Sequence, residues 1–455
     1  MCGVVGAIGV QEAALTLSMM LHALQNRGRD GCGISVVQTK EGGDWRFHCE
    51  TFAGTVAHSI TSKVLKRLSG DSGIGHTRYA TAANSEGREN LQPLFFQVDK
   101  RPFAIAHNGN FTNIAELEAS ELRGTPVNTA SDTERFLRLI LRENRSEPSL
   151  QACIAKALSK MKGSCSAVLH TPGTLYAIRD STGNRPLYWG KIGSGYAIAS
   201  ETCALDAVNI FDVQEVPPGT VMVFAKNREP QVVELPKQPL RMCTFELLYF
   251  GFPTSSLFGV PVSAFRHALG RKMAKLHPIK GDLIVGIPDS AMELAVGYAA
   301  GLDGSLPSED VIKRRHDTGR TFILQRQKMR EMAVSRKFSF NTPLINGKSI
   351  VLIDDSLVRG TTSRGITMSL RRRGAKEVHW VIPSPPIIAS CLYGINTANS
   401  SQLLAAHMSV EEMRQEIAAD SLSFLPLEDF QEVISSQGMA KEHGCYSCMT
   451  GEYWH

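Results

Sequence analysis

Apolar residues in the first half of the chain fall in many short runs, each bounded by Gly, Asn, Asp or Pro, which is how strands and their turns read. Strands are expected at Gly3–Val10, Gly73–Ala80, Phe103–Ala106, Ser166–Thr171, Thr174–Arg179, Tyr196–Ala199 and Gly219–Phe224. Two stretches carry helical spacing instead, Glu12–Leu24 and Asp132–Glu143. The second opens on Ser131 as an N-cap, with Glu134 as its capping-box partner. Strand clusters with helices packed outside them predict a layered α+β domain. Lys226 to Arg241, rich in Pro and charge, reads as the crossing to a second domain, so that the domains are 1–230 and 231–455.

The second half has a different rhythm. Asp282–Ile287 and Ser349–Ile353 are short continuous apolar strands, each followed by a polar or Gly-containing turn and a helical stretch, and Glu377–Ile382 is a third strand. That alternation predicts parallel strands in a doubly wound α/β sheet, with ligands bound at the strands' carboxyl ends. No internal repeat or low-complexity segment is present. The tail from about Ser421 reads as helical at most in part and ends in a Cys-rich turn.

Length supports this division, because 455 residues exceed what one hydrophobic core usually serves. Hydrophobic residues at 43% and charged residues at 20% are ordinary for a globular chain, and no run approaches the roughly 20 apolar residues of a membrane span. A net charge of +5 over 49 basic and 44 acidic residues argues against a nucleic-acid footprint. The densest basic run, Arg371 to Arg373, falls late in a predicted helix, where it complements the helix dipole. The opening Met-Cys-Gly-Val-Val-Gly has no signal-peptide pattern, which points to the cytoplasm. Ten cysteines without a dense framework read as reduced thiols, metal ligands or catalytic groups.

Cys2 is the first chemical candidate. A small second residue normally allows the initiator Met to be removed, leaving a thiol nucleophile and an α-amine base on one residue. The amine's ordinary pKa near 8 suits proton exchange at about neutral pH. Four polar motifs follow: Gly75-His76-Thr77-Arg78-Tyr79-Ala80-Thr81, Asn90-Leu91-Gln92-Pro93, His107-Asn108-Gly109-Asn110 and Ser131-Asp132-Thr133-Glu134. All are expected on loops at strand ends. Glutamine hydrolysis needs a cation for the substrate carboxylate, an anion for its ammonium and donors facing the oxyanion. Arg78, Asp132 and the Asn108-Gly109 pair can supply these. With Leu24-Gln25-Asn26-Arg27-Gly28, this half resembles the class II glutamine amidotransferase domain of the N-terminal nucleophile hydrolase fold, which implies αββα layers and a role for Arg27 in positioning Cys2. His76 and His107 read as residues that orient loops, not as metal ligands.

In the second half, Val351 to Ser363 reads as an apolar strand, two carboxylates and a small-residue loop opening a helix. Asp354 and Asp355 suit ribose hydroxyls and Mg²⁺, while Gly360, Thr361, Thr362 and Ser363 can face a phosphate at a helix N-terminus. This stretch, with Arg359 inside it, resembles the phosphoribosyl pyrophosphate (PRPP) motif of type I phosphoribosyltransferases. Ile287-Pro288-Asp289-Ser290 resembles that family's pyrophosphate loop, which implies contacts to PRPP from Asp289 and to Mg²⁺ from Ser290. Lys313 to Arg330, including Arg320, resembles its closing lid.

The two halves in this order resemble the amidophosphoribosyltransferases over essentially the whole chain. The resemblance implies conversion of glutamine, PRPP and water to 5-phosphoribosylamine, glutamate and pyrophosphate, the first committed step of purine synthesis. It also implies a homotetramer and purine-nucleotide inhibition. Cys445 and Cys448 are spaced as a metal pair or redox couple. Four cysteines match those of the family's iron–sulfur branch, Cys243, Cys391, Cys445 and Cys448, which implies a [4Fe-4S] cluster. Several positions depart from the family pattern: Phe252, Thr254, Ala291, Asn396 and the lid stretch Lys313–Gly319. They spare Cys2 and the phosphate loop. Their place at the lid and domain junction leaves open a paralogue serving a specialised nucleotide-derived pathway, a PRPP-sensing regulator, or an enzyme aminating another phosphorylated sugar.

Overall fold

The computed structural model describes residues 1–39, 45–79, 87–98, 101–144, 147, 149–315, 334 and 336–454. Its first half is built on two antiparallel sheets. Strand Gly3–Ile8 lies inside a seven-stranded sheet, paired with Ser72–Arg78 on one side and Gly195–Ala199 on the other. Arg101–Phe111 and Gly163–Thr171 lie inside a six-stranded sheet. Alternation along one strand shows how the layers form, since successive side chains face opposite sides of a sheet. Val4 and Ile8 enter a core with Ala104, Ala106, Val168 and Ala177 of the second sheet, while Val5 and Ala7 pack with Leu17, Met20 and Leu21 of helix Ala13–Ala23. Helices Asp132–Glu143 and Leu150–Lys160 cover the outer face of the six-stranded sheet through Phe136, Leu137, Ile140 and Ile154. The order of layers is therefore αββα, as expected.

Differences from the sequence expectations have local causes. His107-Asn108-Gly109-Asn110 does not leave the sheet for a loop. It continues strand Arg101–Phe111, and pairing with Ser164 to Ala167 satisfies its backbone. His76 to Arg78 likewise lie within Ser72–Arg78. Ser131 caps its helix by accepting from Thr133 N, but the reciprocal half of the capping box is absent. Glu134 turns instead to the backbone N–H groups of Asn128 and Thr129 and to Arg138. Strand Gln231–Glu234 pairs with Thr220–Phe224, so the first domain's sheet runs past residue 230 to Glu234.

The second half carries a four-stranded parallel sheet in the order Leu283–Gly286, Ser349–Ile353, Glu377–Ile382, Ser421–Phe424. Its fourth strand comes from the tail, which then forms helix Leu427–Ser436. Arg373 donates to Ser369 O at 2.8 Å, serving the end of helix Thr361–Arg371 as its place predicts, while Arg371 pairs with Asp420. Among the described residues no helix is long and apolar enough to cross a membrane.

The core between the two first-domain sheets contains His170, fully buried, with Nε2 3.1 Å from Ser72 Oγ and its ring against Phe47. Burial pushes this imidazole down to about 3. The native state thus holds it neutral, and the unfolded chain binds more protons below its ordinary pKa of 6.5. Stability is lost as pH falls from about 6.5 toward 3. His170→Leu should show a smaller fall in melting temperature between pH 7 and pH 4 than the parent chain, by calorimetry in matched buffers.

Two candidate active sites and the buried network between them

Cys2 stands at the entrance to strand Gly3–Ile8, and the register that sets Gly3 opposite Thr77 brings Cys2 and Arg78 to the same end of the sheet. Met1 precedes it, so the Cys2 nitrogen is an amide standing where the α-amine of a processed chain would be. It donates to Asn108 Oδ1 at 3.1 Å. Burial pushes the Met1 ammonium down to about 5. Asn108 comes from the other sheet, and its Nδ2 is buried without a partner among the described residues. Beside it, Gly109 lies so close to the neighbouring strand that a Cβ would sit 2.1 Å from Ser164 O.

Asp132, at the first turn of its helix, faces the same strand and accepts from Phe111 N at 3.1 Å and Thr133 N at 2.8 Å. His107 supports it: Nδ1 is 3.3 Å from Thr133 Oγ1 and 3.9 Å from Asp132 Oδ1, and Nε2 is 3.2 Å from Ser164 O. Gln92 ties this group together by donating to Thr133 Oγ1 and accepting from His107 N. Arg78 is nearly buried, with its backbone packed on Gly28. The structure therefore gathers Cys2, Arg27, Asn108 and Gly109 at one sheet end, with Asp132 against the Asn108-Gly109-Asn110 strand. Ala80 and Thr81 lie outside the described residues.

Arg27 is fully buried. Its Nε donates to Cys2 O at 2.8 Å, and its two remaining nitrogens meet Glu201 and Glu246, each at 2.7 Å. Burial opposes the charge, but Glu246 and Glu201 outweigh it and hold the guanidinium above its ordinary pKa. Glu246 begins the π-helical turn Glu246–Phe250 in the second domain and also takes Arg185 at 3.5 Å. Glu201 also accepts from Asn26 Nδ2 at 3.0 Å, Ser255 Oγ at 2.9 Å and Phe252 N at 2.7 Å. Phe252 and Thr254, which depart from the family pattern, thus lie in a segment anchored by Glu201. Glu201 and Arg185 escaped the sequence reading, since their partners are distant in the chain. Only the need of a buried arginine for carboxylates could have flagged them.

At the second site Asp354 and Asp355 follow strand Ser349–Ile353. Ser290 Oγ donates to Asp355 Oδ2 at 2.5 Å, Ser356 Oγ to its Oδ1 at 2.6 Å, and Ser384 Oγ to its backbone O at 2.7 Å. Burial, with Asp355 beside it, raises Asp354 well above the ordinary carboxylate range. Burial raises Asp355 too, although Ser290, Ser356 and Arg266 hold it down in part. A pair of carboxylates this reluctant to ionise together fits a divalent cation. Gly360, at φ +66°, caps helix Thr361–Arg371 in a left-handed conformation, with Leu404 where a Cβ would lie. Arg359, Thr361 and Thr362 are exposed around that N-terminus and Ser363 is buried. Asp289 pairs with Arg314 at 3.1 Å. Arg320 and the lid from His316 onward lie outside the described residues.

The four cysteines lie within electrostatic reach of one another. Cys243 and Cys445 are direct partners across a short parallel ladder, Met242–Cys243 with Gly444–Cys445. Burial pushes the Cys448 thiol well up, and Cys391, Cys445 and Cys243 each add to it. Cys391 Sγ accepts from Tyr393 N at 3.3 Å. Among the described residues no three His, Cys, Asp or Glu side chains converge tightly enough to hold a single metal ion. All ten cysteines are free.

Comparison with known proteins agrees with this geometry. The glutamine amidotransferase domain family matches residues 76–207 and the phosphoribosyl transferase domain family matches 262–383. The chain is 40% identical over 454 residues to amidophosphoribosyltransferase 2, chloroplastic, of Arabidopsis thaliana, covering 99% of this chain and 79% of that one. It is 38% identical over 458 residues to the amidophosphoribosyltransferase of Bacillus subtilis (strain 168), covering 99% and 94%. Among solved structures it superposes on the B. subtilis glutamine PRPP amidotransferase complexed with ADP and GMP, with a TM-score of 0.90, 36% identity and 99% and 97% of the two chains covered. It also superposes on a structure described as the allosteric regulatory enzyme of purine biosynthesis, with a TM-score of 0.91, 36% identity and 99% and 96% covered. With both halves matched in order and nearly the full length aligned, the chain belongs to the amidophosphoribosyltransferase family.

Proposed function

We propose that Cys2, freed as the N-terminal residue, attacks the side-chain amide of glutamine while its own α-amine takes the thiol proton and returns it to the departing ammonia. The observation that carries this reading is the divided role of the Asn108 amide. Its oxygen holds the Cys2 nitrogen, and its buried Nδ2, unpaired among the described residues, is a donor left for a developing oxyanion. Gly109 N–H is the second donor. Arg78 binds the glutamine carboxylate, Asp132 its ammonium, and Arg27 fixes Cys2. Water then releases glutamate from the acyl-thiol.

The ammonia is delivered to PRPP, giving 5-phosphoribosylamine and pyrophosphate for purine biosynthesis. Gly360, Thr361, Thr362 and Ser363 turn donors to a phosphate, with Arg359 beside them, and Asp354 and Asp355 receive the ribose. Asp289 and, by its motif alone, Arg320 are assigned to the pyrophosphate. Asp354, Asp355 and Ser290 would hold Mg²⁺, which would supply positive charge for the pyrophosphate. The free cysteines accord with a reducing compartment such as the cytoplasm. The B. subtilis complex with ADP and GMP supports purine nucleotides as inhibitors of this chain as well.

We further propose that Cys243, Cys391, Cys445 and Cys448 hold a [4Fe-4S] cluster. Such a cluster gives each thiolate its own iron, so the thiols need not close on one ion. Bound there, it would tie the tail to the catalytic domain.

Cys2→Ala should abolish glutamate release and glutamine-dependent product, by about a hundredfold or more, and leave synthesis from ammonium chloride and PRPP intact. Undiminished glutamate release would end this assignment. Asp355→Asn should remove PRPP consumption with either nitrogen donor, and chelating Mg²⁺ from the parent enzyme should do the same. Protein purified without oxygen should contain iron and acid-labile sulfide in equal amounts, and Cys391→Ser should lose both. Zinc without iron would overturn the cluster.

A further inference from the structure

Leu392-Tyr393-Gly394, in the second domain, lies directly on the strand that carries Asn108 and Gly109. Asn110 Nδ2 donates to Leu392 O at 2.8 Å, and Ser164 Oγ donates to Tyr393 O at 2.7 Å. Gly394 has φ +103°, and a Cβ on it would lie 2.8 Å from Gly109 C and 2.9 Å from Gly109 O. The same Tyr393 carbonyl accepts from Arg185 Nε at 3.0 Å. Arg185 is fully buried and reaches Glu246, which holds Arg27, which in turn donates to Cys2 O. One short segment therefore meets the glutaminase site twice, through the Gly109 peptide and through the arginine chain to Cys2.

We infer that Leu392-Tyr393-Gly394 and Arg185 are positioning elements of the glutaminase reaction, by which the second domain sets the oxyanion donors and the nucleophile of the first. This rests on the roles proposed above for Cys2, Asn108 and Gly109. Pressure on the Gly109 carbonyl and on Gly109 Cα, 3.1 Å from the added Cβ, turns the adjoining Asn108–Gly109 peptide, whose N–H is the oxyanion donor, and such donors act on the transition state more than on bound substrate. The loss should therefore fall on kcat. Glutamine affinity, which depends on Arg78 and Asp132, should change little. Synthesis from free ammonia uses neither element and should be spared.

The test uses the full-length enzyme with two nitrogen donors, glutamine and ammonium chloride. Gly394→Ala is compared with Gly438→Ala, where φ is +102° but no atom lies within 4 Å of the added Cβ, so that backbone strain alone is controlled. Arg185→Lys keeps the charge but loses the fork that joins Tyr393 to Glu246. For Gly394→Ala and Arg185→Lys we expect glutamine-dependent kcat to fall at least ~10-fold, with KM for glutamine and ammonia-dependent activity within about twofold of the parent. Gly438→Ala should leave both activities as they are. Parallel loss of both activities, a rise in KM alone, or no selective loss beyond that of Gly438→Ala would overturn the inference. Should Gly394→Ala fail to fold, Arg185→Lys decides by the same criteria. Glutamine-dependent activity persisting in Cys2→Ala would instead remove the glutaminase reading on which the inference rests.

Discussion

The arrangement of the molecule depends on one buried charge. A guanidinium with no exposure is stable only where carboxylates and carbonyls replace the water it has lost. Arg27 finds these in Glu201, Glu246 and the carbonyl of Cys2. Two of the three come from the first domain and one from the second, so this charge is satisfied only when the domains are joined. Neither carboxylate could be lost without leaving Arg27 buried and short of charge, so one network holds both the domain junction and the Cys2 backbone.

The segment after Glu246 is held from the other side by a second buried arginine. Arg266 donates to Leu247 O at 3.0 Å and Gly251 O at 2.8 Å, and its charge acts on Asp355. The π-helical turn Glu246–Phe250 is thus strung between an arginine bonded to the Cys2 carbonyl and one whose charge reaches Asp355. Its Tyr249 ring packs edge-on against Phe250, which in turn meets Tyr79 beside Cys2. A π turn in an otherwise regular chain often marks function. Here it allows one short element to answer to both sites.

How much of this could be read from the sequence depended on distance along the chain. A layered α+β first half and a parallel sheet in the second followed from the hydrophobic pattern, because local spacing encodes both, while the αββα order and the reading of Val351–Ser363 as a phosphate loop came from resemblance to known families. Polar residues inside strands misled: His107 to Asn110 look like a loop until the partner strand Gly163–Thr171 is placed beside them. Glu134 matched a capping box, yet the preceding turn offered it the N–H groups of Asn128 and Thr129 and won. Arg185 and Glu201 carried no local signal at all, because tertiary packing alone pairs them with Glu246 and Arg27.

Both candidate sites hold polar groups in surroundings that disfavour them. Asn108 Nδ2 is buried without an acceptor among the described residues, and Asp354 and Asp355 sit together in surroundings that resist their ionisation. On the roles proposed above, an oxyanion would offset the cost in one case and a cation with its phosphates in the other. The well-paired arginines nearby explain how the fold tolerates them. Arg27, Arg185 and Arg266 each end on carboxylates or backbone carbonyls, so the positive charge buried around both candidate sites is itself satisfied.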